Sequence, residues 1–231
     1  CYMERNFEVN HYLKTLAAEI IIGHWDGHAY NKNNFYLYRQ PSNGKFVFIE
    51  YDLDNTFGID WFGIDWASRD LNEWHETNRP LVERLLEIPY YKDVFNAYLD
   101  TLLTDLDTSN WYSDLLAQQN MIKSAVQSDT YYRKDYGFQF SDFLDALDDN
   151  YGAHVKKGLA EYLDERITSG LSQVDWIGNL EPPCDELPIE PERQIIKIVD
   201  FIGRETQFRT DIPLIIMYDD GTVEKVMVWG S

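Results

Sequence analysis

Cysteine is nearly absent: the 231 residues contain two, Cys1 and Cys184. Two are too few for a disulfide framework, and their separation fits no metal-ligand motif, so both are expected to be free thiols or weakly informative. Basic charge is scarce too. Lys plus Arg number 20 against 40 Asp plus Glu, and the net charge of −20 repels nucleic acid and anionic membrane surfaces. Nucleic acid is set aside as a partner. Long apolar runs are also missing: the longest, "AAEIIIG", is interrupted by Glu19 and falls well short of the roughly 20 residues that span a bilayer. No membrane span is expected in this chain. No methionine precedes Cys1, so the chain is expected to be a processed product or a piece of a longer one, with any targeting signal out of view.

What the chain has in quantity is apolar and aromatic mass, 44% and 15% of residues, enough to bury a large core in one main domain with a small second unit. From Asn6 to Gly23 the positions Phe7, Tyr12, Leu13, Leu16, Ala17, Ile20 and Ile21 recur at three-and-four spacing. This predicts a core helix with Asn6 as N-cap and Gly23 as stop. The polar loop "HWDGHAYNKN" follows, then "NFYLYRQ" and "KFVFIEY" as two strands joined by the turn "PSNG". Next comes an acidic loop in which "FGIDW" occurs twice in tandem, at 57–61 and 62–66. Five residues are too few for a solenoid or propeller repeat, so this is a local duplication. Residues 79–174 read as helical almost throughout, with Pro80 and Pro89 near helix starts and Thr108 or Ser109, and Ser141, as N-caps. Four of the eight prolines fall in "EPPCDELPIEP", a composition suited to an extended linker. Beyond it "IIKIVDFIG", "IPLIIMY" and "TVEKVMVW" read as strands. The expected division is a main domain over 1–175, a Pro-rich linker over 176–193 and a small β unit over 194–231.

The candidate chemistry lies in "GKFVFIEYDLDNTFGIDW", where Glu50, Asp52 and Asp54 stand at alternate positions after an apolar run and would share one strand face. Metal-assisted phosphoryl chemistry needs a few rigid oxygen ligands, since Mg²⁺ takes octahedral oxygens from carboxylates and phosphates. Asp52 and Asp54 qualify, with Asp26 and the asparagines of "NKNN" as partners. The bland alternative is an Asp or Asn stiffening its own turn. An EF-hand is excluded, because Phe57 stands where the loop glycine belongs and no Glu closes the loop. The haloacid-dehalogenase phosphatase signature is a better rival: "FIEYDLDNT" would make Asp52 the nucleophile and Asp54 the acid/base. That fold needs strands alternating with helices downstream, and the next hundred or so residues are helical instead.

Taken together, "GHWDGHAYNKNNFYLYRQPSNGKFVFIEYDLDNTFG", "RLLEIPYYKDVFNAYLDTLL" and "MIKSAVQSDTYYRKDYGF" resemble the CotH family of atypical, spore-coat-type kinases, over roughly residues 5–175. The resemblance implies an α+β, mainly helical fold: the C-lobe of a protein kinase, with a β-hairpin carrying the metal site, plus the small C-terminal β unit. It implies ATP and Mg²⁺ or Mn²⁺ as cofactors, a protein with a Ser or Thr acceptor as substrate, and an extracytoplasmic or cell-surface location. Asp26 would be the catalytic-loop aspartate, Asn34 and Asp52 would meet metal and nucleotide, and Asp54 would stand beside them. Asn31 reproduces the ordinary kinase spacing from Asp26, whereas the Asn directly before the aromatic strand is Asn34; Asn31 and Asn33 otherwise read as loop filling. His24 and His28 read as surface residues without a role, and Lys14 as solvated. The N-lobe, with its strand Lys and helix Glu, is expected as a partner missing from this chain. The alternative from another class is a non-catalytic kinase-like surface scaffold.

Overall fold

The computed structural model describes residues 1–134, 137–184, 194–200, 202–210, 212–219, 221 and 223–227. The chain divides into two compact units, 1–185 and 186–231, and is a mixture of helices and small antiparallel sheets.

The first unit is organised around one helix. A short helix α1, Tyr2–Asn6, precedes helix α2, Val9–Ile21. Asn6 is therefore the end of α1, not the cap of the long helix. The chain leaves helical geometry at Phe7, which forms a parallel bridge with Phe46, while Glu8 N–H donates to the Phe46 carbonyl at 2.9 Å. Tertiary pairing overrides the helical periodicity there. The residues spaced for burial are buried: Tyr12, Leu13, Leu16, Ala17, Ile20 and Ile21 form the centre of the core. Gly23 ends the helix as expected, at φ +75°, and a Cβ there would stand 2.4 Å from the Tyr162 hydroxyl. That hydroxyl donates to the Ile21 carbonyl at 3.0 Å, satisfying one of the orphan carbonyls of the helix end. Gly23→Ala therefore carries both left-handed strain and a steric conflict, and urea unfolding is expected to show a loss of about 2 kcal/mol.

Strands β1, Phe35–Arg39, and β2, Phe46–Glu50, pair antiparallel with Phe35 opposite Glu50 and Arg39 opposite Phe46. The wholly buried Phe48 locks this hairpin onto α2 by an edge contact with Tyr12. Helices α4, Pro80–Leu86, and α5, Pro89–Thr108, each start on proline at the first turn, after the four-residue α3, His28–Asn31. Helix α6, Trp111–Ser128, has Asn110, and not Thr108 or Ser109, at its N-cap position, without a side-chain capping hydrogen bond. A 3₁₀ turn, Tyr132–Lys134, leads towards α7, Phe140–Asp145, whose N-cap is Gln139 in a capping box with Asp142, so Ser141 lies inside the helix. Helix α8, Leu159–Leu171, places Tyr162, Leu163, Arg166 and Ile167 in the core. Arg166 is fully buried without a carboxylate partner among the described residues, and donates to the carbonyls of Ala67, Arg69 and Ile20 at 3.2, 2.7 and 3.1 Å. One guanidinium thus ties the end of α2 to the loop that follows the acidic segment.

The cysteines are not free thiols. Cys1 and Cys184 form a disulfide with Cα atoms 5.4 Å apart. Separation in sequence carries no information about distance in the fold, which is why counting misled. Residues 176–178 are held on α5: Trp176 Nε1 donates to Asp100, and the Ile177 and Gly178 amides donate to the Asp93 carboxylate. Half of the expected linker, 185–193, lies outside the described residues.

In the second unit β3, Ile195–Asp200, β4, Leu214–Tyr218, and β5, Val223–Val226, form an antiparallel sheet in the order β3-β4-β5. Val199, Leu214 and Ile216 are its buried residues among those described. Every strand pair among the described residues is antiparallel. The parallel, doubly wound sheet that the phosphatase alternative requires is absent from them.

Candidate functional site

Two loops meet at the end of α2, and three main ties hold them together. Phe57 N–H donates to the Ile22 carbonyl at 2.7 Å, Tyr51 N–H to the Asn34 carbonyl at 3.0 Å, and Trp25 Nε1 to the Ile59 carbonyl at 2.7 Å. The loop of Asp26, Asn31 and Asn34 is thereby fixed against the loop of Asp52 and Asp54.

Asp26 is half-buried, and its two oxygens are claimed separately: Asn31 Nδ2 donates to Oδ1, and Asn34 Nδ2 donates to Oδ2 at 2.9 Å. Two neutral donors aim the carboxylate without cancelling its charge, as a group that must accept a proton from a hydroxyl requires. Asn31 is therefore not loop filling, and both asparagines serve Asp26. The five-residue spacing from Asp26 was the available signal. Lys32 and Asn34 lie in the left-handed region, at φ 60° and 52°, which turns the chain from α3 into β1. Beneath the loop, the buried Arg79 donates to the carbonyls of His28, Tyr30 and Thr77. No sequence pattern marked Arg79, whose partners lie 49 and 51 residues away in the first two cases.

The alternation of Glu50, Asp52 and Asp54 does not survive as one strand face. β2 ends at Glu50, and Asp52 takes φ 55°, so Asp52 and Asp54 lie on an exposed turn. Asn55 Nδ2 donates to Asp54 Oδ1 at 2.8 Å, and Thr56 Oγ1 closes the turn onto the Leu53 carbonyl at 3.0 Å. Among the described residues no group of three or more His, Cys, Asp or Glu is spaced to hold a metal by itself. Asp52, Asp54 and the Asn34 amide are a donor set of the kind Mg²⁺ uses when substrate phosphates and water complete its octahedron.

Neither histidine is a surface residue. His24 is buried and senses the charges of Asp26, Asp54 and Asp52; burial nevertheless holds its imidazole below the ordinary value. Neither ring nitrogen has a hydrogen bond of ordinary geometry, although the Asn55 backbone lies close enough to favour the protonated ring. A Cβ on Gly27 would stand 2.6 Å from the His24 ring, so the loop passes directly over it. His28 packs on Phe35 and Phe48 and meets the Tyr12 hydroxyl at 3.4 Å; burial, with a smaller push from Arg79, lowers it to about 4. Both rings are neutral wedges under the loop at neutral pH.

Comparison with known proteins places these loops in a wider context. Residues 1–168 match the protein family described as "CotH kinase protein". The chain is 39% identical over 57 residues to "Invasin CotH2" of Rhizopus delemar, covering 24% of this chain and 10% of that protein. It is 29% identical over 108 residues to "Invasin CotH7" of the same organism, 43% of this chain and 17% of the relative. It is 27% identical over 132 residues to "Inner spore coat protein H" of Bacillus subtilis, 57% of this chain and 35% of the relative. The chain thus spans about a third or less of the length of these relatives.

Proposed function

The chain belongs to the CotH kinase protein family, and from that premise we propose that it supplies the kinase-like C-lobe of an enzyme moving the γ-phosphoryl of ATP to Ser or Thr of a protein. The observation that carries this reading is the pair of facing loops: Asp26 held by two asparagines, against a left-handed Asp52 turn tied to the end of α2. In it, the acceptor hydroxyl sits against Asp26, its oxygen bonds to the γ-phosphorus as the bridging oxygen leaves with ADP, and Asp26 takes the proton. Asn34, Asp52 and Asp54 would hold Mg²⁺ or Mn²⁺, which neutralises charge on the phosphates. An N-lobe partner would close over the nucleotide from the opposite side. The relatives named as an invasin and a spore coat protein, together with a disulfide suited to an oxidising compartment, support an extracytoplasmic or cell-surface site of action.

The test uses the full natural chain containing these residues, incubated with γ-labelled ATP and Mn²⁺ or Mg²⁺. Label on protein Ser or Thr, abolished by chelation, is the expected result. Free phosphate alone would indicate a phosphatase or ATPase. No turnover, with no saturable Mn²⁺ binding, would leave a non-catalytic scaffold.

A further inference from the structure

The tandem pentapeptide has no part in the chemistry above, yet its two copies fold in opposite senses. In the first copy Phe57 packs on Tyr162 and Asp60 is buried, while Trp61 is 58% exposed. In the second copy Phe62 is 52% exposed, Asp65 is exposed and ion-paired with Lys157, and Trp66 is 1% exposed in the core. The inversion is imposed by Asp60, whose carboxylate accepts from the amides of Phe62, Gly63 and Ile64 and from Trp66 Nε1. That turn draws one Trp inward and pushes the adjacent Trp61 and Phe62 outward.

The exposed pair is braced, and it adjoins the candidate site. Trp61 stacks on His154 at 3.8 Å and 15°, and His154 is fixed by a 2.9 Å hydrogen bond between Nδ1 and the Asp60 carbonyl. Phe62 stands edge-on to Trp25 at 5.1 Å and meets Tyr30 at 5.7 Å. Trp25 directly precedes Asp26, and Tyr30 directly precedes Asn31. Two braced aromatic rings in water, one of them packed on the residues that precede Asp26 and Asn31, form a surface matched to an apolar side chain.

We infer that Trp61 and Phe62 dock the acceptor polypeptide, seating an aromatic or aliphatic residue at a fixed offset from the Ser or Thr that meets Asp26. This rests on the phosphoryl-transfer reading. The pair determines specificity and takes no part in the chemical step, so its loss acts on acceptor binding alone. The experiment presents the full natural chain with an oriented library of peptides around a central Ser or Thr. Labelling from γ-labelled ATP and binding of the fluorescein-tagged pool are both measured, for the parent chain and for Trp61→Ala, Phe62→Ala and Trp61→Phe.

Selection of an apolar residue at one offset is expected, with the acceptor KM raised about tenfold or more in both alanine variants and kcat and the KM for ATP held within about twofold. Trp61→Phe should restore most of the loss. Because Trp61 is exposed, its alanine variant should melt within about 2 °C of the parent, whereas Trp66→Ala in the twin copy should not. Labelling without apolar selection, or with an unchanged acceptor KM in the variants, overturns the docking site and leaves phosphoryl transfer intact. Trp61-dependent binding of apolar peptides without any labelling upholds the docking site and removes the kinase reading. The absence of both binding and labelling of peptides, including the case where oligosaccharides quench Trp61 instead, overturns the docking proposal.

Discussion

Asp52→Asn is expected, on the proposed phosphoryl-transfer reading in which Asp52 holds the metal, to lower protein labelling by about 10³-fold or more, since losing such a charge removes several kcal/mol of transition-state stabilisation and each 1.36 kcal/mol is tenfold. Asn is the informative replacement because residue 52 sits at φ 55°. Asn tolerates the left-handed region, whereas Ala there would add backbone strain of about 1 kcal/mol and confuse chemistry with folding. The side chain is exposed, and the turn keeps its Thr56 and Phe57 hydrogen bonds. The melting temperature should therefore stay put while Mn²⁺-dependent nucleotide binding and transfer disappear. Retained labelling at the parental rate would remove Asp52 from the site.

Glu19→Gln should stabilise the protein by roughly 3 kcal/mol at pH 7. Glu19 lies on the buried side of α2, its Oε1 has no hydrogen-bond partner among the described residues, and burial, aided by the negative charge of Glu50 on β2, pushes its carboxyl up to about 8. Tyr12 is the other titratable group that feels it, on the same helix. The folded chain thus holds Glu19 neutral, whereas the unfolded chain ionises it near the ordinary value of 4.5. Folding binds a proton across that window, so the contribution of Glu19 is most favourable below 4.5 and is lost as pH rises towards about 8. The amide keeps the shape and cannot ionise. Urea unfolding of parent and variant should give similar stabilities near pH 4 and diverge as pH rises; taking the difference cancels the opposite trend from His24 and His28. Equal stability at pH 7.5 would show that Glu19 reaches water or a partner.

The α2 periodicity and the hairpin were legible because each depends on local spacing: Tyr12, Leu16 and Ile20 recur at helical intervals, and "PSNG" separates two aromatic strands. The start of α2 was not legible, because Phe7 is taken out of helical register by Phe46, 39 residues away. Resemblance to the CotH family brought Asp26, Asn34, Asp52 and Asp54 forward as a set, and the fold shows how Asn31 joins Asn34 on Asp26. By itself the sequence determined the acidic character, the shortness of every apolar run, the core face of α2 and the family motifs, since these depend on composition and short-range pattern. Only the tertiary structure decided that Cys1 meets Cys184, that Arg79 and Arg166 bind backbone carbonyls in the core, and that two identical pentapeptides place one Trp inside and one out. Those outcomes turn on which distant groups can satisfy a buried donor, acceptor or thiol, and burial is a property of the whole packed chain.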